Sequence, residues 1–362
     1  MSGGPVLVLG GAGFVGTNLV SRLAERGARV RVFDNLSRAG VERNAAWLAH
    51  TYSDEVELIE ADVRDAAAVE RAVSDAVAVF HLAAQVAVTT SLVEPRADFE
   101  INLLGTLNVL EALRSRKQPP PLLFTSTNKV YGDLDGVELV ERSLRWEPRD
   151  AALARDGVKE TQTLSFHSPY GCSKGAADQY VLDYARVYGL PAVVFRMSCI
   201  YGPHQFGTED QGWIAHFLIR AIEGRSISIY GDGKQVRDAL YVDDLVDAML
   251  IVRSQAERLS GSAFNIGGTP RRSVSLLELL DMIARLRGVE PNVDYGPWRP
   301  GDQRWYASDV SRFTAATGWQ PRTEVAEGVR RLHAWLGRSC DRAASLRTDE
   351  ALEDQPESTG TM

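Results

Sequence analysis

The feature that most constrains this chain is a glycine-rich turn near its amino end. The apolar run Val6 to Leu9 leads into Gly10, Gly13 and Gly16, and a helix-like segment follows from Asn18. Glycines permit a tight turn and let the backbone approach a pyrophosphate. The N-terminus of the following helix offers N–H groups and a positive dipole end. The segment therefore predicts a strand, a phosphate-binding turn and a helix.

A second predicted strand indicates which dinucleotide this turn binds. The strand over residues 29–33 ends at Asp34, where a carboxylate is placed to bind the adenosine ribose hydroxyls. The same carboxylate would repel the 2′-phosphate of NADP, so the sequence favours NAD. Arg38 lies close by and has two possible roles: a partner for a 2′-phosphate, or a solvent-facing loop residue near the adenine.

Strand-like and helix-like segments alternate through most of the first two-thirds of the 362 residues. This alternation predicts an α/β fold, a doubly wound parallel sheet with helices on both faces. After residue 203, glycine, proline and aromatic residues become frequent, which indicates a smaller discontinuous α/β domain. We expect a dinucleotide-binding Rossmann domain over 1–203 with 239–269, a substrate-binding domain over 204–238 with 270–336, and a disordered acidic tail over 337–362.

Two polar motifs are candidates for the chemistry. Tyr170 and Lys174 are four residues apart on a predicted helix and therefore share one face. A nearby ammonium favours the phenolate form of a tyrosine, which then acts as a general base. Thr127 follows the predicted strand 122–124, at the sheet edge where ligands bind in such folds. We expect its hydroxyl to hydrogen-bond the reacting oxygen.

Composition excludes several other classes of function. The net charge is −8, which gives no reason to expect nucleic acid or an anionic membrane as a partner. No apolar stretch is long enough to cross a bilayer, and no room for a secretory signal precedes the first strand, so a cytoplasmic location is expected. The three cysteines lack metal-ligand spacing, so we expect no metal site.

The glycine spacing, the Tyr170/Lys174 pair and the Thr127 motif together resemble the extended short-chain dehydrogenase/reductases, the family of NAD-dependent nucleotide-sugar epimerases and dehydratases. The resemblance covers about residues 5–336. Several less generic blocks, at 33–38, 126–133, 167–180, 210–213 and 231–238, are similar to those of the family's CDP-hexose 2-epimerases.

The resemblance implies roles for individual residues. The catalytic set would be Thr127, Tyr170 and Lys174. Tightly bound NAD would be held by Gly10, Gly13, Phe14, Val15, Gly16, Asp34, Asn35, Ser37, Arg38, Asp62, Val63, Leu82, Ala83, Ala84, Asn102, Tyr170 and Lys174. The nucleotide-diphosphate sugar would be held by Gln85, Thr127, Asn128, Lys129, Ser198, Gln205, Gln211, Trp213, Arg237 and Arg304.

Arg237 and Arg304 are expected at the diphosphate because a guanidinium binds phosphate oxygens bidentately. A surface ion pair is the alternative for each. The resemblance also implies a homodimer or higher homo-oligomer formed through the helices around 102–114 and 170–188.

The residues after Thr127 help to choose among reactions. Sugar 4,6-dehydratases carry Asp-Glu at the positions of Asn128 and Lys129, so dehydration is disfavoured here. The implied reaction is inversion at C2 of a CDP-hexose through a transient 2-keto intermediate. A keto-sugar reductase using NAD(P)H and a 4-epimerase of another sugar nucleotide remain alternatives. A non-catalytic NAD-binding regulator on the same fold is the least favoured interpretation.

Overall fold

A computed structural model describes residues 3–299 and 302–338 of the chain. The strands, in chain order, are β1 (Val6–Leu9), β2 (Val30–Asp34), β3 (Val56–Glu60), β4 (Ala78–His81), β5 (Leu122–Thr127), β6 (Leu139–Glu141), β7 (Trp146–Pro148), β8 (Ala192–Met197), β9 (Cys199–Tyr201), β10 (Ile227–Tyr230), β11 (Val236–Tyr241), β12 (Ser262–Ile266), β13 (Ser273–Ser275), β14 (Val293–Gly296) and β15 (Trp305–Tyr306).

The α-helices are α1 (Phe14–Ala24), α2 (Val41–Thr51), α3 (Ala66–Val73), α4 (Val88–Val93), α5 (Pro95–Phe99), α6 (Gly105–Arg114), α7 (Ala151–Asp156), α8 (Ser168–Tyr188), α9 (Trp213–Ile222), α10 (Val242–Leu259), α11 (Leu276–Arg287), α12 (Ser311–Thr317) and α13 (325–338). A π-helix, Glu100–Leu104, joins α5 to α6, and short 3₁₀ turns occupy Asn128–Tyr131 and Pro270–Arg272.

Seven parallel strands form the central sheet, in the order β12-β8-β5-β4-β1-β2-β3. Successive side chains of β1 point to opposite faces, as the pleat requires. Val6 and Val8 pack in the core shared with α1, α2 and α10, whereas Leu7 and Leu9 pack in the core shared with α3, α6 and α8. Both faces are therefore covered, and the predicted doubly wound fold is confirmed.

A second set of strands follows the main sheet in the chain. Strand β11 pairs with β13, β15 and β9, while β10 pairs with β14. Helices α9, α11 and α13 cover these strands with a separate apolar core that includes Leu218, Ile283 and Leu332. The division into two domains at the predicted boundaries stays a prediction. The expected tail lies, apart from residues 337 and 338, outside the described residues.

The antiparallel hairpin β6–β7 is anchored on this second unit. The Trp146 indole donates to Asp232 at 2.9 Å, and Arg145 donates to the Glu278 carboxylate at 2.9 Å. Glu278 also completes a capping box with Ser275 at the start of α11. The insertion between β5 and α8 is therefore fixed against the second unit by polar contacts.

Two details differ from the sequence-based prediction. Thr125, Ser126 and Thr127 belong to β5 itself rather than to a loop after it. The helix expected from Asn102 begins earlier, as the π-helix, and becomes regular only at Gly105. Within the described ranges, no helix has the length and apolar character needed to span a bilayer.

Candidate active site

The turn between β1 and α1 has the shape that phosphate binding requires. Gly10 has φ +77°, and a Cβ there would lie 2.6 Å from the backbone nitrogen of Ala83. A Cβ on Gly16 would lie 2.3 Å from the Gly10 carbonyl oxygen. Gly13 caps α1 without a side chain, so no cap side chain covers the N–H groups of the first turn, which begins with Phe14 and Val15. These residues fit a pyrophosphate at the helix N-terminus.

The end of β2 supplies a buried carboxylate beside this turn. Asp34 accepts hydrogen bonds from the backbone nitrogens of Ala12, at 3.1 Å, and Leu36, at 3.0 Å. Burial raises the pKa of Asp34, and these backbone hydrogen bonds oppose that rise. Each carboxylate oxygen has a second lone pair, so Asp34 retains acceptor capacity for ribose hydroxyls.

The residues after Asp34 form a connected polar rim. Asn35 donates to Asp62 at 2.8 Å and accepts from the Ser37 hydroxyl at 2.8 Å. The hydrogen bond from Arg64 is the largest effect on Asp62 and lowers its pKa to about 2. Val63 next to it is buried. The predicted adenosine side of the site is therefore brought together by the structure.

Arg38 is an exposed loop residue whose side chain contacts another loop. Its guanidinium donates to the Gln211 side chain at 2.7 Å. Gln211 was predicted to contact substrate and Arg38 to contact the cofactor. Their hydrogen bond joins the loop after β2 to the loop before α9.

Tyr170, Lys174 and Thr127 converge at the carboxyl end of β5. All three side chains are buried, with exposed fractions of 9%, 2% and 7%. The side chain of Thr127 is hydrogen-bonded to Tyr170. The Lys174 ammonium nitrogen lies 4.2 Å from the centre of the Phe124 ring. The predicted catalytic set is thus assembled in one place.

Burial dominates the electrostatics of this set. It raises the pKa of Tyr170 to about 12, and the hydrogen bond with Thr127 only partly offsets it. Burial also lowers the pKa of Lys174 to about 7, although the carboxylates of Asp178 and Asp98 act to raise it. The expected lowering of the phenol pKa is therefore not produced by the protein's own groups, because desolvation of the phenolate outweighs them.

A buried polar network lies behind the catalytic pair. Asn102 accepts from the backbone nitrogen of Gln85 at 2.9 Å and donates to Asp98 and Ser173, each at 3.1 Å. The Gln85 side chain donates to the Asp98 carboxylate and to the Ala87 carbonyl, and it accepts from the Ala87 backbone nitrogen. The structure thus directs the side chain of Gln85, predicted to contact substrate, toward protein groups. Asp98 was missed because a single acidic residue in a short helix has no distinguishing pattern.

The loop after β4 approaches the glycine turn closely. The backbone of Leu82 and Ala83 lies against Gly10, and Ala84 follows next to Gln85. The small side chains of Ala83 and Ala84 suit that close approach.

The predicted substrate residues fall into three groups. The first group contains two cations, Lys129 and Arg237. Burial and the charge of Arg237 lower the pKa of Lys129 to about 8. Arg237 itself donates to Asp302 at 3.2 Å. Asp302 also raises the pKa of Lys129, so its carboxylate partly offsets both positive charges. Arg304 is exposed, and its guanidinium lies 4.9 Å from the Trp146 ring centre.

The second group consists of polar side chains around the two cations. The Asn128 amide donates to Gln303 at 3.5 Å, and the Trp213 indole donates to the Cys199 sulfur at 3.4 Å. Gln303 is 1% exposed and also donates to the Gly132 carbonyl. No motif in the sequence indicated Gln303, which is the residue before Arg304 in the chain.

Two further predicted substrate residues form the third group. The Ser198 hydroxyl donates to the buried Asp238 carboxylate, so it is engaged within the protein. Gln205 is 2% exposed and donates to the Ile200 carbonyl at 3.2 Å, while its side-chain oxygen has no partner among the described residues.

The fold and this site define an extended short-chain dehydrogenase/reductase. Comparison with known proteins agrees: a model of the NAD dependent epimerase/dehydratase family matches residues 6–267, and the chain belongs to that family. The predicted family resemblance is therefore confirmed.

Three relatives show how far the similarity extends. The chain is 42% identical over 337 residues to CDP-paratose 2-epimerase of Salmonella typhi, covering 91% of this chain and 98% of that protein. It is 33% identical over 349 residues to dTDP-glucose 4,6-dehydratase 1 of Escherichia coli (strain K12), covering 91% and 92%. The solved structure of the Thermus thermophilus UDP-glucose 4-epimerase in complex with NAD has a TM-score of 0.77 and 33% identity, covering 91% and 98%.

Proposed function

We propose that this chain is an NAD-dependent isomerase that inverts C2 of a CDP-linked hexose, of the CDP-paratose to CDP-tyvelose type. The observation that carries the proposal is the 42% identity to a CDP-paratose 2-epimerase over nearly the whole of both chains. The dehydratase above is 33% identical over a similar length. The site geometry supports the same class of reaction.

The residues at the glycine turn fit NAD, which when bound supplies reversible oxidation of a secondary alcohol. Gly10, Gly13 and Gly16 would leave space for its pyrophosphate at the N-terminus of α1, and Asp34 would accept hydrogen bonds from its adenosine ribose. A carboxylate at that position disfavours the 2′-phosphate of NADP.

The proton of the sugar hydroxyl is handled by the catalytic set. Tyr170 takes it during oxidation and returns it during reduction, while Thr127 donates to the same oxygen and fixes its position. The buried ammonium of Lys174 stabilises the phenolate that forms. Because no proton on carbon is removed by a base in this scheme, the chain needs no second acid–base pair.

The residues beyond Thr127 support epimerisation over elimination of water. Asn128 and Lys129 place an amide and an amine where an eliminating enzyme needs a carboxylic acid and a carboxylate. Lys129 and Arg237 are suited to the diphosphate of the sugar nucleotide. The remaining predicted substrate contacts, including Trp213 and Arg304, keep their assigned roles as proposals.

The test is to incubate the purified protein with CDP-paratose, CDP-glucose, UDP-glucose and dTDP-glucose in deuterated water. Configuration at C2 and C4 is followed by NMR. We expect inversion at C2 of a CDP-sugar without deuterium at that carbon, because oxidation and re-reduction keep the hydrogen in the site. Inversion confined to C4, or loss of water, would overturn the proposal.

A keto-sugar reductase is the alternative to be separated from this. It consumes NAD(P)H stoichiometrically, whereas an epimerase turns over without net consumption. Absorbance of reduced nicotinamide during turnover therefore distinguishes the two. Solvent deuterium at C2 would reject transient oxidation even if the epimerase activity were found.

We also propose a cytoplasmic homodimer. Tyr180, Val187 and Tyr188 on α8 are 45%, 57% and 50% exposed, an apolar face suited to a second copy of the chain. Val187→Glu should weaken self-association in sedimentation experiments, and Val289→Glu, at a similarly exposed valine after α11, should not. Among the residues that the structure describes, Cys172 and Cys199 form no disulfide, which suits a reducing compartment.

A further inference from the structure

Asp98 is a fully buried carboxylate whose hydrogen-bond partners are uncharged. It lies in α5, is 0% exposed, and accepts from the amides of Gln85, at 3.0 Å, and Asn102, at 3.1 Å. The hydroxyl of Ser173 donates to it at 2.5 Å. Burial raises the pKa of Asp98, and the hydrogen bonds from Ser173 and Gln85 together with the charge of Lys174 oppose that rise. An ionised carboxylate only accepts hydrogen bonds, so three donors aimed at one carboxyl favour its charged form.

A comparison with Asp178 shows what is unusual about this charge. Asp178 is equally buried, but the Arg196 guanidinium binds both of its oxygens at 2.9 Å and neutralises it locally. Among the residues that the structure describes, Asp98 has no ion pair with Lys, Arg or His. Asp178 still has the larger effect on the pKa of Lys174, and Asp98 adds to it, whereas the pKa of Tyr170 is raised by Asp98.

The charge of Asp98 acts on Tyr170 and Lys174, the predicted catalytic residues. Ser173, which binds Asp98, precedes Lys174 and lies one turn after Tyr170, to whose carbonyl it is also close, at 3.2 Å. The titratable groups facing the pair are Asp98 from α5, Asp178 from α8 and His81 from β4. Burial, with the charge of Lys174, lowers the pKa of His81 to about 3, so His81 is neutral at physiological pH.

We infer that Asp98 is a positioning residue for the proposed reaction: its carboxylate, fixed by Gln85, Asn102 and Ser173, adds a negative charge to the surroundings of Tyr170 and Lys174. The inference rests on the proposed function only for its kinetic consequence. The field itself is a property of the protein without substrate.

The sign of the effect follows from the charge. A negative carboxylate favours the protonated forms of both neighbours, and Asp98 accordingly raises the pKa of Lys174 and that of Tyr170. Removing the charge lowers both. A pH–rate profile has one limb that reports the Tyr170 base and another that reports the Lys174 ammonium. Both limbs then move toward lower pH.

The first measurement is independent of turnover. Protein labelled with ¹³C at the lysine ε-carbon is titrated, and the Lys174 signal is assigned by its loss in Lys174→Met. In Asp98→Asn the Lys174 midpoint should fall by about one pH unit relative to wild type, the lower end of the effect of a charge at close range. Ser173→Ala, which removes a hydrogen bond but no charge, should leave the midpoint within a few tenths.

The second measurement is the pH dependence of kcat/KM with the sugar nucleotide that the protein turns over. In Asp98→Asn both limbs should move to lower pH by about one unit, and Asp98→Glu should restore them. A lower rate with unmoved limbs would show a purely structural role and overturn the inference. Asp98→Ser provides a second neutral variant if Asp98→Asn does not fold.

The two proposals fail in different ways. If no sugar nucleotide is turned over, the proposed function fails and the lysine titration still decides the role of Asp98. If turnover is found but the Lys174 midpoint is the same in both neutral variants as in wild type, the inference about Asp98 is wrong and the proposed function stands.

Discussion

Gly10→Ala tests the closeness of the glycine turn to the loop after β4. Two costs add at this position. The backbone has φ +77°, where a residue with a Cβ is disfavoured by about 1–2 kcal/mol. The new Cβ would also lie 2.6 Å from the nitrogen and 2.8 Å from the Cα of Ala83, and 2.9 Å from the carbonyl carbon of Leu82. These are backbone atoms, so relief requires moving the chain.

The second cost is that of overpacking, about 1–3 kcal/mol, which brings the expected loss of unfolding free energy to about 2–5 kcal/mol. Gly27→Ala is the matched control, because Gly27 has φ +74° and a Cβ there would meet nothing within 4 Å. It carries the backbone cost alone, about 1–2 kcal/mol.

The assay is urea unfolding of wild type and both variants without cofactor, followed by calorimetric titration with NAD. Gly10→Ala should also weaken NAD binding at least about tenfold, since relief of the contact displaces the phosphate-binding turn. Gly27→Ala should leave NAD affinity unchanged. Equal destabilisation by the two variants would refute the contact between Gly10 and Ala83.

Three further predictions concern the site and its support. Tyr170→Phe should abolish turnover while leaving NAD affinity within about twofold by calorimetry, because the phenol acts on the substrate; near-normal turnover would remove the mechanism. Asp178→Ala should lower the free energy of unfolding in urea by about 3–5 kcal/mol, because it leaves the buried Arg196 guanidinium without its carboxylate partner. The control Asp281→Ala, which removes an exposed ion pair within one helix, should lower it by less than about 0.5 kcal/mol. His81 has a folded pKa of about 3 against 6.5 in the unfolded chain, so the unfolded state binds the extra proton and stability falls as pH drops from 6.5 toward 3. His81→Asn should reduce that slope by about 1.4 kcal/mol per pH unit between pH 4 and 6, and an unchanged slope would contradict the neutral, buried assignment.

Local patterns in the sequence were enough to predict the central sheet and to place Tyr170 and Lys174 on one helix, while the catalytic role of that pair stays a prediction. The spacing of Gly10, Gly13 and Gly16 is dictated by one turn, and the four-residue spacing of Tyr170 and Lys174 by one helix. In each case the physical constraint acts within a few residues, so it appears in the sequence as a short motif.

Residues whose roles arise from contacts distant in the chain were not predicted. Asp98 acquires its surroundings from Gln85, Asn102 and Ser173, which lie on different segments. Gln303 reaches Asn128 only because the segment before β15 runs alongside β11. The high pKa of Tyr170 likewise depends on burial, which a motif does not reveal.

The π-helix shows a third reason why the sequence-based prediction differed from the structure. Periodicity predicted a regular helix around Asn102, and the extra residue of a π turn changes which side chains share a face. Its presence places Asn102 where it bonds both the loop after β4 and the helix of Tyr170.

The strand order has a consequence for how such a protein is made and how it evolves. The chain leaves the central sheet after β8, builds β9, β10 and β11, and returns only with β12, which covers the open edge of β8. On the ribosome that edge has no strand partner until Ile266 has emerged, and unpaired edges template association with other chains. The same interleaving means that a single cut in the gene after β8 leaves β12 on the other side of the cut, so recombination at one point cannot exchange β9, β10 and β11 without dividing the central sheet.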